Sequence, residues 1–178
     1  TRSSGSQQPD ALEVLLEIGR DLTASLGSLD RYERLLVAVR RVLPFDAACL
    51  LRLQGDVLVP LAAHGLVPQA LERPYPRRQH PRLDAILRAP APILFAPNSA
   101  LPDPFDGLLT ADPQALERIH ACLGCPLTSD GEVVGALTAD ALDPNAFDGL
   151  AARLLATLGA PAGAALRTAT LIEALEKR

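Results

Sequence analysis

The clearest alternation of apolar and polar positions in the chain lies at residues 118–140, RIHACLGCPLTSDGEVVGALTAD. Alternate side chains of a strand point to the same face. On the first half of this stretch, the odd positions 119–127 form an apolar row, whereas Arg118, His120 and Cys122 line the other face. The second half alternates in the same way and ends with Asp140 on the polar side. The pattern predicts a β-hairpin with one polar face.

The register of this hairpin decides which side chains meet, because a slip of one residue reverses both faces. A three-residue loop at 129–131, with glycine last, is a common hairpin connection. It places Cys122 opposite Thr138 and His120 opposite Asp140, whereas a loop of two or four residues mixes the apolar and polar rows. The prediction is that a thiol, an imidazole and a carboxylate share one face, as a metal or catalytic site requires.

The remaining periodicity predicts an α/β domain with an antiparallel sheet. The predicted order is helix 10–27, helix 30–43, a hairpin of strands 46–53 and 57–63, a short helix at 67–73, helix 80–89 with Pro81 at its first position, a strand at 92–95, hairpin 118–140 and a helix from 145 onward. Residues 1–9 are polar and aperiodic, so we expect a tail that is disordered or was added by cloning, before a single domain over 10–178.

Two segments outside the hairpin have features that suggest a specific role. The loop at 94–113 is dense in Pro, Asp and Asn, and Pro102 and Pro104 stiffen it around Asp103 and Asp106. Loops of this length in a compact domain are usually functional or disordered. The last helix carries an apolar stripe with alternating spacings of three and four, which predicts pairing with the N-terminal helix or with a second copy in a homodimer. Its members are Leu155, Leu158, Ala162, Ala165, Ala169 and Ile172. We also expect Pro161 to bend this helix.

Composition narrows the function classes. The 178 residues are 48% hydrophobic, which is enough for one sizeable core, and the net charge of −4 argues against a nucleic-acid-binding face. No run approaches the roughly 18 consecutive apolar residues of a membrane span, and the beginning of the sequence lacks a signal-peptide pattern. We therefore expect a cytoplasmic protein that binds neither nucleic acid nor membrane.

The three cysteines fit a reducing compartment better than a disulfide framework. Cys122 and Cys125 form a C-x-x-C motif, but three strand residues span about 10 Å, beyond the roughly 7 Å limit for a disulfide. Their side chains also point to opposite faces, and a structural zinc site needs a second pair of ligands. Cys49, in an apolar strand, is expected to be a small core residue.

The segment GCPLTSDGEVVGALTAD at 124–140 resembles the signature of GAF domains. This resemblance implies a central antiparallel sheet of five to six strands flanked by helices, with long N- and C-terminal helices. Members of this fold bind cyclic nucleotides, chromophores, haem, small metabolites or nothing, so the fold alone leaves the function open.

Three further motifs, HPRLDAI at 80–86, LPDPFDGLL at 101–109 and HACLGCPL at 120–127, resemble the N-terminal GAF domain of the NorR family. These are nitric-oxide-responsive bacterial transcription activators, and the resemblance extends over about 11–178. It implies a regulatory domain, not an enzyme, that holds one non-haem ferrous iron, Fe(II). Binding of nitric oxide by this iron releases a neighbouring AAA+ domain from repression. No phosphate loop or helix-turn-helix motif occurs in this sequence, so we expect the ATPase and DNA-binding functions to be absent from it.

The resemblance implies an iron environment made from several segments. Its members are Arg82, Asp103, Asp106, Cys122 and Asp140, with His120 close by. A protonated guanidinium has no lone pair to give, so Arg82 is expected to offset charge or hold a position that nitric oxide takes. The family motif has a tyrosine where this chain has Phe105.

Other interpretations of these residues stay open at the level of sequence. Asp103 and Asp106 also fit ordinary turn residues, His120 and Cys122 fit ordinary strand residues, and Asp140 fits a strand-end cap. A metal-free GAF module for small-molecule binding or dimerisation is therefore the main alternative. A third class is an enzyme that reduces free methionine sulfoxide with cysteines, but this chemistry needs a resolving thiol near Cys122.

Overall fold

The computed structural model describes residues 30–41, 43–110 and 121–178, together with single helical positions at 13, 16, 17 and 20. The elements in chain order are α1 (Asp30–Arg40), β1 (Ala47–Gln54), β2 (Val57–His64), β3 (Tyr75–Pro76), α2 (Pro81–Arg88), β4 (Ile93–Phe95), β5 (Ala121–Ser129), β6 (Glu132–Ala141) and α3 (Gly149–Glu176). All six strands form one antiparallel sheet in the order β3-β2-β1-β6-β5-β4. The predicted α/β architecture is confirmed; the predicted tail at 1–9 and most of the predicted helix at 10–27 lie outside the described residues.

Some predicted boundaries are wrong, and local contacts give the reasons. The segment predicted as a helix at 67–73 is a single 3₁₀ turn, Pro68–Ala70. The last helix begins at Gly149 rather than near 145, because the side chain of Asp148 accepts a hydrogen bond from the backbone N–H of Ala151 at 2.9 Å and caps it. Pro161 lies inside this helix, which continues to Glu176.

Residues 121–127 and 135–141 of the hairpin β5–β6 have their predicted faces but a different register, whereas Val133 and Val134 lie on the faces opposite to those predicted. Asp130 and Gly131 both have positive φ (52° and 78°), as the two-residue Asp-Gly turn requires, so Ser129 pairs with Glu132. An irregularity between Leu127 and Thr128 then shifts the pairing by one further residue. The two changes together amount to a shift of two residues, which preserves the faces.

The predicted cross-strand partners within this hairpin are therefore wrong. Cys122 lies opposite Asp140 rather than Thr138, and Thr138 lies opposite Gly124. The predicted pair of His120 with Asp140 is replaced by the pair of Cys122 with Asp140, and His120 itself lies outside the described residues. The correction brings the thiol and the carboxylate closer together than the sequence predicted.

Each face of the sheet has its own hydrophobic core. One core contains residues of α1 and α3 with Cys125, and the other contains residues of α2 and the 96–110 segment with Cys122. The prediction that the two cysteines of the C-x-x-C motif face opposite ways is confirmed. The α2 side depends on Gly124, because a Cβ at that position would lie 2.3 Å from the Cδ1 atom of Ile86. This glycine lets α2 approach β5 closely.

The apolar stripe of α3 packs inside the chain. Leu155, Leu158, Ala162, Ala165 and Ala169 are all buried in the core between α3 and the sheet. These positions are therefore covered within the chain. Pairing with the N-terminal helix, most of which lies outside the described residues, stays a prediction. By length and composition α3 could also cross a membrane, but the stripe against the sheet accounts for much of its apolar character.

The segment that follows β4 is fixed over the α2 side of the sheet. Leu109 forms an isolated antiparallel bridge with Leu66, and the backbone N–H of Thr110 donates to the carbonyl of Gly65 at 2.8 Å. The N–H of Val67 donates to the carbonyl of Leu108 at the same distance. These contacts hold the far end of the segment, so that its Asp103 turn lies over the sheet.

Arg52 of β1 is a buried cation that contacts both α1 and α3, the helices on the side of the sheet opposite to α2. Its guanidinium contacts Glu173 of α3 at 3.0 and 3.4 Å and the hydroxyl of Tyr32 of α1 at 3.5 Å. The side chain of Arg52 is 7% exposed and that of Glu173 is 43% exposed. The cost of burying the guanidinium is therefore offset by a carboxylate that water still reaches.

We expect Glu173→Ala to lower the free energy of unfolding by about 2 kcal/mol, because it removes the carboxylate from a largely buried cation. Urea denaturation followed by circular dichroism measures this change. Glu176→Ala, on the exposed end of the same helix, is the matched control and should change stability by less than about 0.5 kcal/mol. Equal effects of the two variants would show that the contact with Arg52 contributes nothing.

Candidate metal centre

The centre begins as a row of residues across the sheet. Ala47 of β1 lies opposite Asp140 of β6, which lies opposite Cys122 of β5, which in turn lies opposite Phe95 of β4. Direct cross-strand neighbours have Cβ atoms about 4.5–5.5 Å apart. The register alone therefore places a carboxylate beside a thiol on the face that α2 and the 96–110 segment cover.

Asp103 enters this face from the segment above it. The carboxylates of Asp103 and Asp140 and the thiol of Cys122 each offer one ligand atom, and these atoms lie within 4.8 Å of one another. The three residues are 6%, 1% and 2% exposed, respectively. Three ligand atoms from three separate segments thus converge in the interior of the domain.

Asp103 is positioned by contacts to both of its carboxylate oxygens. Its Oδ1 atom accepts a hydrogen bond from the backbone N–H of Phe105 at 2.9 Å, as in a typical Asx turn. Its Oδ2 atom lies 3.3 Å from Nη1 of Arg82, and both side chains are buried. Asp103 therefore has the turn role that sequence left open and also lies at the centre.

Arg82 is anchored more strongly than an ordinary surface arginine. Its Nε and Nη2 atoms donate to the carbonyl of Leu101, and its guanidinium lies over the ring of Phe95 with 4.7 Å to the ring centroid. Cation–π and charge-assisted contacts of this kind fix a planar guanidinium in one orientation. Neither anchor has a signal in the sequence, since one is a backbone carbonyl and the other a core aromatic ring.

Burial raises the pKa of the Cys122 thiol well above its usual range, and the nearby carboxylates of Asp140 and Asp103 raise it further. Arg82 opposes this shift but does not reverse it. At neutral pH the thiol thus keeps its proton in the metal-free domain. A cation among these residues would favour the thiolate, as metal binding to cysteine generally does.

The other two thiols are buried, and burial raises the pKa of each. Burial raises the pKa of Cys125 to about 12, and this residue lies on the opposite side of the sheet. Cys49 shares the face of Cys122, and burial and Asp140 also raise its pKa. All three are buried and poor thiolate formers, which does not favour the cysteine-based reductase hypothesis.

Two predicted members of the centre have a different status. Asp106 is half-buried, and its backbone N–H donates to the carbonyl of Asp103 at 3.2 Å, but its carboxylate is not part of the three-residue group. His120 immediately precedes β5 and lies outside the described residues. The roles of both as ligand or neighbour stay predictions.

The chemistry of the buried groups fits a divalent transition metal. Carboxylate oxygens suit a ferrous ion, and a thiolate adds a softer donor. Two carboxylates and one thiolate beside one guanidinium carry a net charge of −2, so that a divalent cation brings the cluster of Arg82, Asp103, Cys122 and Asp140 to neutrality. Neutrality matters here because uncompensated charge in the interior is costly.

The fold has counterparts among known proteins. The family profile described as GAF domain matches residues 29–166, and this chain belongs to the GAF domain family. Among solved structures, the GAF domain of a phosphoenolpyruvate-protein phosphotransferase from Coxiella burnetii superposes with a TM-score of 0.72 at 21% identity, over 95% of this chain and 99% of that one. Free methionine-R-sulfoxide reductase from Neisseria meningitidis gives 0.68 at 16% identity, over 97% of both chains. At these identities the likeness shows the fold alone.

Sequence similarity is more specific and assigns this GAF domain to the NorR type. It is 42% identical, over 93% of its length, to the anaerobic nitric oxide reductase transcription regulator NorR of Aeromonas hydrophila, and 43% identical, over 90%, to that of Vibrio vulnificus. The aligned part is 32% and 31% of those regulators, so the chain spans about a third of their length. The resemblance noted from the motifs is confirmed.

Proposed function

We propose that this domain is the nitric oxide sensor of a transcription regulator and that it holds one non-haem ferrous iron with Asp103, Cys122 and Asp140. The observation that carries the proposal is the convergence of these three buried ligand atoms within 4.8 Å. The function for which the NorR relatives are named, regulation of transcription for nitric oxide reductase, supports the choice of signal.

When bound, the iron supplies the position at which nitric oxide binds, and the response passes to an adjacent AAA+ domain and ends its repression. This chain contributes the scaffold for that response. Asp103 and Arg82 belong to a segment and a helix that cover the sheet, whereas Cys122 and Asp140 belong to the sheet itself. A change of charge among the ligands therefore alters the contact of α2 and the Asp103 segment with the sheet.

Arg82 is proposed to offset charge rather than to donate electrons to the metal. Its guanidinium lies 3.3 Å from Asp103 and has no lone pair, so it stabilises the carboxylate and keeps it within reach of the centre. Asp106 and His120 complete the proposed environment as a further carboxylate ligand and a neighbouring imidazole, respectively. Homodimerisation is retained as a prediction, but it needs a surface other than the stripe that α3 buries against the sheet.

Metal analysis of anaerobically prepared protein tests the proposal. We expect about one iron per chain and, on addition of nitric oxide, an electron paramagnetic resonance signal from iron that has bound it. Asp140→Asn should weaken iron binding at least about ten-fold, because it neutralises a buried ligand in a preorganised group. Iron-loaded protein that stays silent on addition of nitric oxide would reject the sensing function.

Asp106→Asn determines whether the half-buried carboxylate belongs to the ligand set. It matches Asp140→Asn in chemistry but alters a residue outside the three-residue group. If Asp106 is a ligand, as the family resemblance implies, the two variants lose iron to a similar degree. If iron content is normal in Asp106→Asn, the ligand set is limited to the buried residues.

A further inference from the structure

A second polar surface lies on the outer side of α2, away from the candidate metal centre. Arg77, Arg78 and Arg88 line an open cavity of about 470 Å³ together with Asp56, Pro81 and Asp84. We call these three arginines the arginine surface. With the two aspartates it has one excess positive charge, on a chain whose net charge is −4.

Asp84 forms ion pairs with two of these arginines and fixes their orientation. Its Oδ1 atom lies 2.7 Å from Nε of Arg77, and its Oδ2 atom lies 3.0 Å from Nε of Arg88. Both contacts use the inner nitrogen of the guanidinium. Within the described part of the chain, the outer nitrogens of these two side chains make no hydrogen bond, so each can donate in a bidentate manner to a carboxylate.

The exposure of the arginine side chains indicates whether a small anion or a larger partner can bind. The side chain of Arg88 is 74% exposed, and an isolated ion pair in water is weak, so a single small anion would bind weakly. Several carboxylates on one protein segment can engage all three arginines at once, and arginine is enriched at protein interfaces. A nucleic acid is disfavoured, because three arginines would have to overcome repulsion from an acidic chain.

The same helix connects this surface to the candidate metal centre. On its inner side α2 carries Arg82, which contacts Asp103 and the carbonyl of Leu101, and on its outer side it carries Asp84 and Arg88. The helix is only eight residues long. A displacement of Arg82 relative to the sheet therefore moves Arg88 and Asp84 with it, and Asp84 contacts Arg77 of the preceding turn.

We propose that the arginine surface docks an acidic segment of the protein domain that this sensor regulates. The inference rests on the proposed function, since it assigns to the regulated domain a place of contact. It explains why α2 has buried and exposed arginines within one short helix. It also provides a route by which a change at Arg82 reaches a binding surface.

The test measures binding of a fluorescein-labelled oligoglutamate peptide of about ten residues to metal-free protein by fluorescence anisotropy. Arg77→Gln/Arg88→Gln should weaken binding at least about ten-fold, because it removes two oriented bidentate donors. The matched control, Arg34→Gln/Arg153→Gln, removes the same charge from exposed arginines of α1 and α3 and should weaken binding less than about two-fold. Thermal unfolding of both variants checks that they are folded.

Three results would overturn the proposal. The first is that the native protein does not bind the peptide, and the second is that both double variants weaken peptide binding equally. The third is that inorganic phosphate displaces the peptide far more than sodium chloride of equal ionic strength does. The last result would show a small-anion site instead. Because the peptide is tested without metal, failure here leaves the iron signal intact, and failure of iron binding leaves the peptide result intact.

Discussion

Cys122→Ala should strongly weaken iron binding, whereas Cys125→Ala should leave it unchanged. The two cysteines are three residues apart on β5 and are almost equally buried, at 2% and 1% exposed. Cys122 faces the two carboxylates of the candidate centre, and Cys125 faces α3, where its thiol approaches the carbonyl of Leu155. Loss of the single thiolate removes a ligand, and a divalent cation beside two carboxylates and Arg82 then leaves a net charge of +1 in the interior.

We expect the iron affinity of Cys122→Ala to fall by about 100-fold or more, with loss of the nitric oxide spin signal. Both substitutions remove one buried sulfur atom, so a similar loss of about 1 kcal/mol in stability is expected for each, and folding does not distinguish them. Iron content, spin signal and urea denaturation are measured on the same anaerobic preparations. Retention of iron by Cys122→Ala, or its loss from Cys125→Ala, contradicts the assignment of the centre.

The faces of the central hairpin could be predicted from sequence, but the pairing within it could not. Alternation along β5 and β6 fixes which side chains share a face, since any core-compatible register preserves it. The choice between a three-residue loop and a two-residue Asp-Gly turn with a bulge depends on backbone geometry at Asp130 and near Leu127. Both solutions preserve the faces of residues 121–127 and 135–141, so the hydrophobicity of these positions does not separate them.

Asp103 and Asp106 illustrate a second limit. They are three residues apart in one Pro-rich turn and flank the pair Pro104 and Phe105. Only tertiary contacts separate them, because Asp103 is buried against Arg82 while Asp106 is half-buried. The family resemblance brought both to the centre, and the geometry distinguishes an inner carboxylate from an outer one.

The stripe on α3 shows that a helical pattern predicts a buried face without identifying the element that covers it. Spacings of three and four describe one face of a helix without saying what covers it. Here the stripe includes small residues because α3 lies directly on a strand, with Ala162 and Ala165 buried against the sheet. A helix stripe rich in alanine and glycine thus predicts close approach, while the identity of the covering element depends on the rest of the fold.

Gly163→Val should destabilise the domain by about 4 kcal/mol or more, because α3 has no space for a side chain there. A Cβ at Gly163 would lie 2.0 Å from the carbonyl oxygen of Thr128 and 2.6 Å from its backbone nitrogen. Both contacts are with the backbone of β5. The sheet holds this backbone in place, so it cannot relieve the clash as a side chain does by changing rotamer. The helix must move outward, and this movement opens the core around Leu158 and Leu166.

Ala164→Val is the matched control for this substitution. It introduces the same β-branched side chain one residue later, at an exposed position of the same helix, and should cost roughly 0.5 kcal/mol from helix propensity alone. Urea denaturation by circular dichroism compares the two, with Gly163→Val expected to be unfolded or to have a strongly lowered midpoint. If both variants unfold at the same urea concentration, α3 does not lie on β5 as described. The middle of α3, around Gly163, would then not pack on the sheet that carries Cys122 and Asp140.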